Sequence, residues 1–258
     1  MPMVDSREVM NVRQASQYLG ISADTLYTYV SRKRIPAFKL GNRWKFKKTT
    51  LDRWMVNQMA RQAGEEIWRR FQIPIYLYEA AAAVPERQNL ENIRRGQFEA
   101  LLAEMGTVPA RDPDIGLPVC HPAAGAVAVG ARKFLIACNV NLGTPDVAVA
   151  KRIARTIRFS SGGFRSVKAM GVMLASRNLA QVSINLTDFE ETPPHTVLEA
   201  VRREAERYGV PVLGTEIVGL IPRKALEMSA AYFRRHGNPR PESILEDRIA
   251  EAMARRQG

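Results

Sequence analysis

Apolar residues near the N-terminus first recur at helical spacing. Residues 11–19 place their apolar side chains on one face, and Gly20 follows, where a left-handed residue ends a helix. Ser22 can cap a second helix, in which Leu26 and Val30 face inward. The pattern predicts two short helices joined by a tight turn. In such a helix-turn-helix the second helix usually enters the major groove of DNA.

A period of two residues replaces the helical one further along the chain. Phe38 and Leu40 alternate with Lys39, and beyond Gly41–Asn42 two aromatic residues alternate with cations. This alternation predicts a β-hairpin with one apolar face and one cationic face. Thr50 can cap a third helix, which closes the small core.

From Ala63 onward the apolar runs predict alternating helices and strands. Helices are predicted over residues 65–71, 90–105, 145–158, 193–208 and 242–256, and strands over 74–78, 134–141, 167–174, 181–186 and 210–218. The order strand, helix, strand, strand, helix, strand is that of the split βαβ motif. It favours an antiparallel sheet with both helices on one face, and the whole chain is predicted to be α+β.

Charge is concentrated at the N-terminus. The chain has 38 Lys and Arg against 26 Asp and Glu, a net charge of +12. Residues 1–60 hold 11 basic and 4 acidic residues, a net of +7, and residues 31–48 contain no acid. Such a density is typical of a protein that binds a phosphate backbone. A solvated face or a contact with an anionic membrane remains an alternative.

Length and cysteine content limit the class of protein. A chain of 258 residues exceeds the usual single domain, so we expect two compact domains. Cys120 and Cys138 offer neither a disulfide framework nor the spacing of metal ligands, so no metal is expected. Without a signal peptide or a membrane-length apolar run, the sequence predicts a cytoplasmic protein.

Small residues dominate the stretch between positions 116 and 131. Gly116, Gly125 and Gly130, with alanines between them, allow the backbone to approach a flat ligand closely. Arg132 and Lys133 would meet an anionic tail of such a ligand. Tight packing of strands, with no ligand, explains the same pattern.

The N-terminal residues YLGISADTLYTYVSRKRIPAFKLGNRWKFKKTTLDRWM, positions 18–55, resemble the winged helix-turn-helix of excisionase-type and MerR-type DNA-binding domains. The resemblance implies that the second helix reads base edges of double-stranded DNA and that the hairpin lies along phosphates. The implied DNA-binding residues are Ser22, Thr25, Thr28, Arg32, Lys33, Lys39, Arg43, Lys45 and Lys47. Because such motifs bind paired half-sites, a homodimer is expected. A protein-binding use of the module is the alternative.

Five later segments resemble glutamate formimidoyltransferase across about residues 62–250. They are IPIYLYEAAA, IRRGQFEAL, HPAAGAVAVGARKFLIACNVNL, NLAQVSINLTDFEETPPHTV and VPVLGTEIVGLIPRKAL. In that family two α/β subdomains enclose tetrahydrofolate. The resemblance implies a domain over residues 61–258 that binds tetrahydrofolate or a related folate, after a DNA-binding domain over residues 1–60. The implied folate-binding residues are Gly116, Leu117, Pro118, Val119, Cys120, His121, Pro122, Ala123, Ala124, Gly125, Arg132 and Lys133.

The sequence departs from this family in its first subdomain. Family members carry a His-Pro-Arg-Met-Gly motif whose histidine is the general acid and base, and this sequence has no such motif. By resemblance, the chain enters the family pattern only at the last helix and strand of that subdomain. The segment from His121 to Gly125 looks similar, but its register assigns it to a loop of the second subdomain. No catalytic residue is therefore assigned, and whether the chain is an enzyme is left open.

Three functional hypotheses follow. The first is a DNA-binding transcriptional regulator whose formiminotransferase-derived domain senses a folate. The second is a glutamate formimidoyltransferase that moves a formimidoyl group between N-formimidoyl-L-glutamate and tetrahydrofolate. In this hypothesis a partner chain or the dimer mate supplies the missing wall of the folate site, which the first subdomain forms in the family. The third is a DNA-binding protein whose C-terminal part only dimerises.

Overall fold

The computed structural model of the chain describes residues 8–237 and 239–255. Helices and strands are mixed along the chain, which confirms the predicted α+β class. The chain forms two compact units, the first ending at Ala131 and the second beginning at Arg132. The division into domains of residues 1–60 and 61–258 stays a prediction.

The first unit opens with the predicted helix-turn-helix. Strand β1 (Val9–Asn11) leads into helix α1 (Val12–Leu19), and helix α2 (Ala23–Ser31) follows after a short turn. Asn11 and Gln14 form a reciprocal capping box on α1, and the Ser22 side chain caps α2 as predicted. Leu26 and Val30 are buried in a small core, so the interior face of α2 is confirmed.

The hairpin consists of strands β2 (Phe38–Leu40) and β3 (Arg43–Lys47), and β1 pairs with the other edge of β3. The prediction of one apolar and one cationic face is wrong for β2. Leu40 pairs with Arg43 and Phe38 with Lys45, and directly paired residues lie on the same face of a sheet. Phe38 and Leu40 are therefore exposed, at 42% and 65%.

Helix α3 (Lys48–Phe71) is continuous over 24 residues. Two predicted helices, one beginning at Thr50 and one over residues 65–71, are thus a single element. The predicted cap is wrong, because Lys47 holds the N-cap position and makes no side-chain capping bond there. Leu51 is buried with Phe46, so α3 does close the small core.

The rest of the first unit is a two-stranded parallel sheet with irregular chain between its strands. Strand β4 (Ile75–Glu79) pairs with β5 (Val127–Ala131), and helices α4 (Leu90–Ile93) and α5 (Gln97–Glu104) lie between them in sequence. The single helix predicted over residues 90–105 is wrong, because Gly96 adopts a left-handed conformation and separates α4 from α5. Strand β5 was not predicted, since its alanines and glycine give no strand signal.

A buried ion pair organises this irregular chain. The Arg87 guanidinium lies 2.7 Å from the Asp114 carboxylate, and the two side chains are only 12% and 7% exposed. The other Asp114 oxygen accepts a hydrogen bond of 2.7 Å from the backbone N–H of Leu77 in β4. Arg87 also stacks on the Tyr76 ring, 5.2 Å from its centroid, and burial raises the pKa of Tyr76 to about 12. These contacts fasten the segment to β4.

The second unit is built on a four-stranded sheet. Its elements are strand β6 (Ile136–Leu142), helix α6 (Val147–Ile157), strands β7 (Val167–Leu174) and β8 (Leu179–Leu186), helix α7 (Pro194–Arg207) and strand β9 (Val212–Val218). The strand order is β7-β8-β6-β9 and every pairing is antiparallel, which confirms the predicted antiparallel sheet.

Both helices of this unit share one buried core with the sheet. Cys138 and Val140 of β6 pack in it with Ile153 of α6 and Val201 of α7. Gly171 of β7 allows α6 to approach, because a Cβ atom there would lie 2.3 Å from the Lys151 backbone nitrogen. Sheet residues on the opposite face do not take part in this core.

Three short helices complete the second unit: α8 (Arg223–Met228), α9 (Ala230–His236) and α10 (Leu245–Ala254). The last helix was predicted over residues 242–256; it begins at Leu245, and residue 256 lies outside the described residues. No helix within residues 8–237 and 239–255 is both long and apolar enough to cross a bilayer. The cytoplasmic location stays a prediction.

The buried pair predicts a large effect of one conservative substitution. Asp114→Asn keeps an acceptor for the Leu77 N–H but leaves the Arg87 charge buried without its partner. Loss of one member of a buried pair costs about 3–5 kcal/mol. We expect a loss of this size in the free energy of unfolding, measured by urea denaturation.

Glu66→Gln is the matched control, because Glu66 pairs with Arg69 and Arg70 on an exposed surface of α3. It should change the unfolding free energy far less than Asp114→Asn. Equal effects of the two substitutions would contradict the role assigned to the buried pair.

Candidate functional site

The polar residues predicted to read DNA bases lie on and around α2. The Ser22 and Thr25 hydroxyls are 2.8 Å apart, and Ser22 also accepts from the Thr25 N–H, so both serve the helix cap. The Thr28 side chain is exposed, although its hydroxyl donates to the Asp24 carbonyl at 2.9 Å. Tyr27 is also exposed on α2 and was missed, because a lone tyrosine in a helix gives no signal of a binding role.

The predicted phosphate-contacting cations are mostly exposed around α2 and the hairpin. Arg32 and Lys33 follow α2, and Arg43 lies at the start of β3, all with exposed side chains. Lys39 stacks on the Trp44 ring at 5.1 Å, and Lys47 is 3.8 Å from the Glu8 carboxylate. The predicted Lys45 is half-buried. The structure thus brings these cations onto one small domain.

Few acids oppose these cations. The Asp52 carboxylate accepts hydrogen bonds from the Tyr18 hydroxyl and, at 3.0 Å, from the Lys48 ammonium. The pKa of Lys48 is raised to about 12 by its own hydrogen bond with Tyr18 and then by its hydrogen bond to Asp52. Lys48 therefore stays cationic, and the charge of Asp52 is compensated locally.

The glycines of the small-residue stretch are covered by aromatic rings of the chain itself. A Cβ atom would lie 2.6 Å from the Trp68 ring at Gly116, 3.0 Å from the Phe98 ring at Gly125 and 2.4 Å from the Tyr78 ring at Gly130. Tight packing therefore accounts for all three glycines. Leu117 and Val119, between them, are exposed apolar residues.

His121 belongs to a small hydrogen-bonded loop. His121 and Gly125 exchange two backbone hydrogen bonds of 2.8 Å. The Nδ1 atom of His121 accepts from the N–H groups of Ala123 and Ala124, at 3.2 and 3.0 Å. The proton of the neutral ring consequently lies on Nε2. Burial raises the pKa of the neighbouring Cys120 thiol, which makes it a poor nucleophile.

Arg132 and Lys133 lie at the start of the second unit. The Lys133 ammonium is 2.6 Å from Asp188 and 3.6 Å from Glu190. The hydrogen bond to Asp188 raises the pKa of Lys133, so it stays charged, but two carboxylates already compensate it. Arg132 is exposed and donates to the Lys133 carbonyl. Of these two residues, Arg132 is the more available to an anion.

Four polar side chains meet on the face of the second sheet opposite α6 and α7. We call them the polar cluster: Asn141, Gln181, Glu216 and Arg177. Asn141 donates to Glu216 at 2.7 Å and accepts from Gln181 at 2.8 Å, while Arg177 donates to Glu216 at 3.0 Å. Asn141 and Gln181 are each only 4% exposed. Buried amides in a continuous hydrogen-bonded row form a rigid polar surface.

The polar cluster carries one anionic and one cationic side chain, Glu216 and Arg177, which form an ion pair at 3.0 Å. Hydrogen bonds from Asn141 and then Arg177 lower the pKa of Glu216, so its carboxylate stays ionised. An ionised carboxylate such as Glu216 can accept charge-assisted hydrogen bonds from a cation, and an arginine such as Arg177 can bind a carboxylate.

The polar cluster is absent from the sequence-based predictions, although the strand pattern contains a signal for it. Polar residues alternate with apolar ones in β6, at Asn139 and Asn141, and in β8, at Gln181, Ser183 and Asn185. Such alternation places all of them on one sheet face. Within the described part of the chain, no group of three or more His, Cys, Asp or Glu side chains is placed to hold a metal ion.

Three protein-family models match the chain, and two of the matches overlap at residues 46–59. Residues 9–59 match a helix-turn-helix domain, residues 46–132 match the N-terminal subdomain of the formiminotransferase domain, and residues 137–255 match the formiminotransferase domain. The chain therefore carries a helix-turn-helix domain followed by two formiminotransferase domains.

Curated relatives are transferases. Glutamate formimidoyltransferase of Streptococcus pyogenes serotype M1 is 46% identical over 176 residues, covering 68% of this chain and 58% of the relative. The protein of the same name from Thermoplasma acidophilum is 40% identical over 196 residues, which cover 76% of this chain and 64% of the relative. Formimidoyltransferase-cyclodeaminase of Rattus norvegicus is 42% identical over 180 residues, covering 67% and 33%. The chain thus spans less than two thirds of these relatives.

These matches correct three expectations. The hypothesis of a folate-sensing transcriptional regulator is wrong, because relatives at 40–46% identity are named as transferases, which favours the enzymatic alternative. The first-subdomain match covers residues 46–132, which is more than a last helix and strand. The same match contains the loop from His121 to Gly125, so its assignment to the second subdomain is also wrong.

The aromatic contacts of the small-residue stretch are testable with one pair of variants. Gly116→Ala forces a methyl group against the Trp68 ring, and overpacking of this kind costs about 1–3 kcal/mol. Gly162→Ala is the control, since Gly162 has a similar positive φ of 90°, against 99° at Gly116, but nothing within 4 Å of an added Cβ. We expect a larger loss of unfolding free energy for Gly116→Ala, with a shift in tryptophan fluorescence. Equal losses would contradict the packing explanation.

Proposed function

We propose that this chain takes part in the transfer of a formimidoyl group between N-formimidoyl-L-glutamate and tetrahydrofolate. The observation that carries the proposal is the 46% identity to a glutamate formimidoyltransferase over 68% of the chain. Two formiminotransferase matches side by side support the same activity.

The reaction needs two binding functions and one proton transfer. An amine nitrogen of tetrahydrofolate forms a bond to the formimidoyl carbon, and the bond from that carbon to the glutamate nitrogen breaks. One proton leaves the folate nitrogen and one reaches the glutamate amine. The protein has to hold a cationic amidine and several carboxylates, and to carry a proton between two nitrogens.

The polar cluster is our proposed site for N-formimidoyl-L-glutamate. Glu216 would hold the amidinium of the formimidoyl group, and Arg177 would hold a glutamate carboxylate. Asn141 and Gln181 keep Glu216 in place through the hydrogen-bonded row described above. The exposed residues between Leu117 and Ala124, together with Arg132 and Lys133, remain the proposed contacts of the folate.

Two groups are candidates for carrying the proton. The sequence lacks the His-Pro-Arg-Met-Gly motif. Either His121, whose Nε2 is not used by the local backbone, carries the proton, or a partner chain supplies both the missing wall and a base. His121→Ala separates these two cases, because it abolishes turnover only in the first.

Turnover of N-formimidoyl-L-glutamate with tetrahydrofolate by the purified full chain is the direct test. Glu216→Gln should lower kcat/KM by about 10- to 100-fold, the usual cost of losing a hydrogen bond to a charged group. Glu227→Gln, a substitution on the exposed surface of α8, should leave it unchanged. A well-folded wild-type chain that neither turns over nor binds either substrate would refute the proposal.

We also propose a specific fold type for the helix-turn-helix and for the second unit. The helix-turn-helix would be of the winged type, with the β2–β3 hairpin as its wing. The second unit would be ferredoxin-like, which the strand order β7-β8-β6-β9 supports.

A second candidate function belongs to the helix-turn-helix. We infer that it binds double-stranded DNA, with phosphates held by the exposed cations around α2 and the hairpin and with bases met by α2. The observation in its favour is the concentration of net charge of +7 within residues 1–60. Two copies would bind paired half-sites as a homodimer.

Salt dependence tests this DNA contact. Arg43→Ala with Lys45→Ala should reduce the slope of log affinity against log salt by about two, since each lost phosphate contact removes about 0.9. Arg69→Ala with Arg70→Ala removes the same charge from α3, where both arginines pair with Glu66, and should leave the slope unchanged. Identical slopes in the two double variants would contradict the proposed interface.

A further inference from the structure

A second concentration of positive charge lies in the second unit. Residues 147–187 contain seven Lys and Arg residues and no Asp or Glu. This acid-free stretch is longer than the basic segment of the helix-turn-helix. Two of the seven cations are paired with acids outside the stretch, Arg165 with Glu191 and Arg177 with Glu216.

Four of the seven cations lie on or directly after α6. We call Lys151, Arg152, Arg155 and Arg158 the α6 face. Buried apolar residues fill the other side of this helix, so the four cations form its polar stripe. Arg155 lies three or four positions from each of the other three cations, a spacing at which like charges repel and destabilise a helix by a few tenths of a kcal/mol per pair. The helix therefore keeps this stripe at some cost in stability.

The α6 face has no compensating carboxylate in the described part of the chain. The Arg152 guanidinium stacks on the Tyr208 ring at 5.0 Å, and Arg158 donates to the Ser161 hydroxyl at 2.7 Å. Lys151 and Arg155 are exposed, and none of the four forms an ion pair among residues 8–237 and 239–255. Glu204 of α7 is bound to Arg207 at 2.7 Å.

Exposed aromatic rings lie next to these cations. Phe159, directly after Arg158, is 58% exposed, and Tyr208 is exposed beneath the Arg152 guanidinium. Beside them a groove of about 540 Å³ is lined by Gly162, Gly163 and Arg203, among others. Cations interleaved with accessible aromatic rings are the composition of a surface for single-stranded nucleic acid, because phosphates meet the charges and unpaired bases stack on the rings.

We propose that the α6 face is a second nucleic-acid contact of this protein, which binds the phosphate backbone. This inference rests on the proposed DNA binding by the helix-turn-helix and adds a separate surface to it. An acidic protein would be bound by the cations of the α6 face and would not require an aromatic ring beside them. The exposed Phe159 ring favours nucleic acid.

The test measures the affinity of the full chain, as a function of salt, for one DNA duplex that carries a single-stranded overhang. Lys151→Gln with Arg155→Gln removes two exposed, unpaired cations and keeps good helix formers. We expect the slope of log affinity against log salt to fall by about two, and the affinity near 0.1 M salt to fall roughly tenfold or more.

Arg223→Gln with Arg248→Gln is the charge-matched control. It removes the same net charge from α8 and α10, where Arg223 pairs with Asp247 and Arg248 with Glu251. This control should leave the slope unchanged. Thermal unfolding of all variants checks that each is folded.

The outcomes separate this inference from the function on which it rests. If the wild type binds DNA and Arg43→Ala with Lys45→Ala weakens binding, but the α6 variant behaves like its control, the inference is wrong and the helix-turn-helix proposal stands. No DNA binding by the wild type would overturn both. If Lys151→Gln with Arg155→Gln loses binding to poly-L-glutamate but keeps the wild-type slope of log DNA affinity against log salt, the α6 face binds acidic proteins and the inference is overturned.

Discussion

The alternation of side chains along β6 and β8 is the constraint on which the second unit depends. Successive residues of a strand point to opposite faces. Burying Cys138 and Val140 beneath α6 and α7 therefore places Asn139 and Asn141 on the other face of the sheet. The apolar core and the polar cluster are two sides of one strand pattern, and the register that builds the core also assembles the site.

Energetics supports the same link between fold and site. A buried amide without a partner costs about 1–3 kcal/mol, so Asn141 and Gln181 are tolerated only because each has a hydrogen-bond partner. Glu216 and Arg177 extend this row toward solvent, where both are exposed. The row thus begins with buried amides that fix its geometry and ends with charged groups that a ligand can reach.

Sequence patterns predicted what depends on local periodicity and missed what depends on pairing. The inward faces of α1 and α2, and the antiparallel sheet, follow from spacing alone. The exposure of Phe38 and Leu40 does not, because it depends on which residues face each other across the Gly41–Asn42 turn. The glycines at positions 116, 125 and 130 suggested a ligand, whereas rings distant in sequence, such as Trp68, occupy the space beside them. The alternating polar residues of β6 and β8 could have indicated the polar cluster.

The central claim is that the polar cluster binds N-formimidoyl-L-glutamate. The most direct measurement is NMR of the side-chain amide groups of Asn141 and Gln181 in the full chain during titration with this compound. Our account predicts saturable shifts of both amides that disappear in Glu216→Gln. Unchanged amides in a titration that shifts resonances elsewhere would place the ligand at another site and contradict the account.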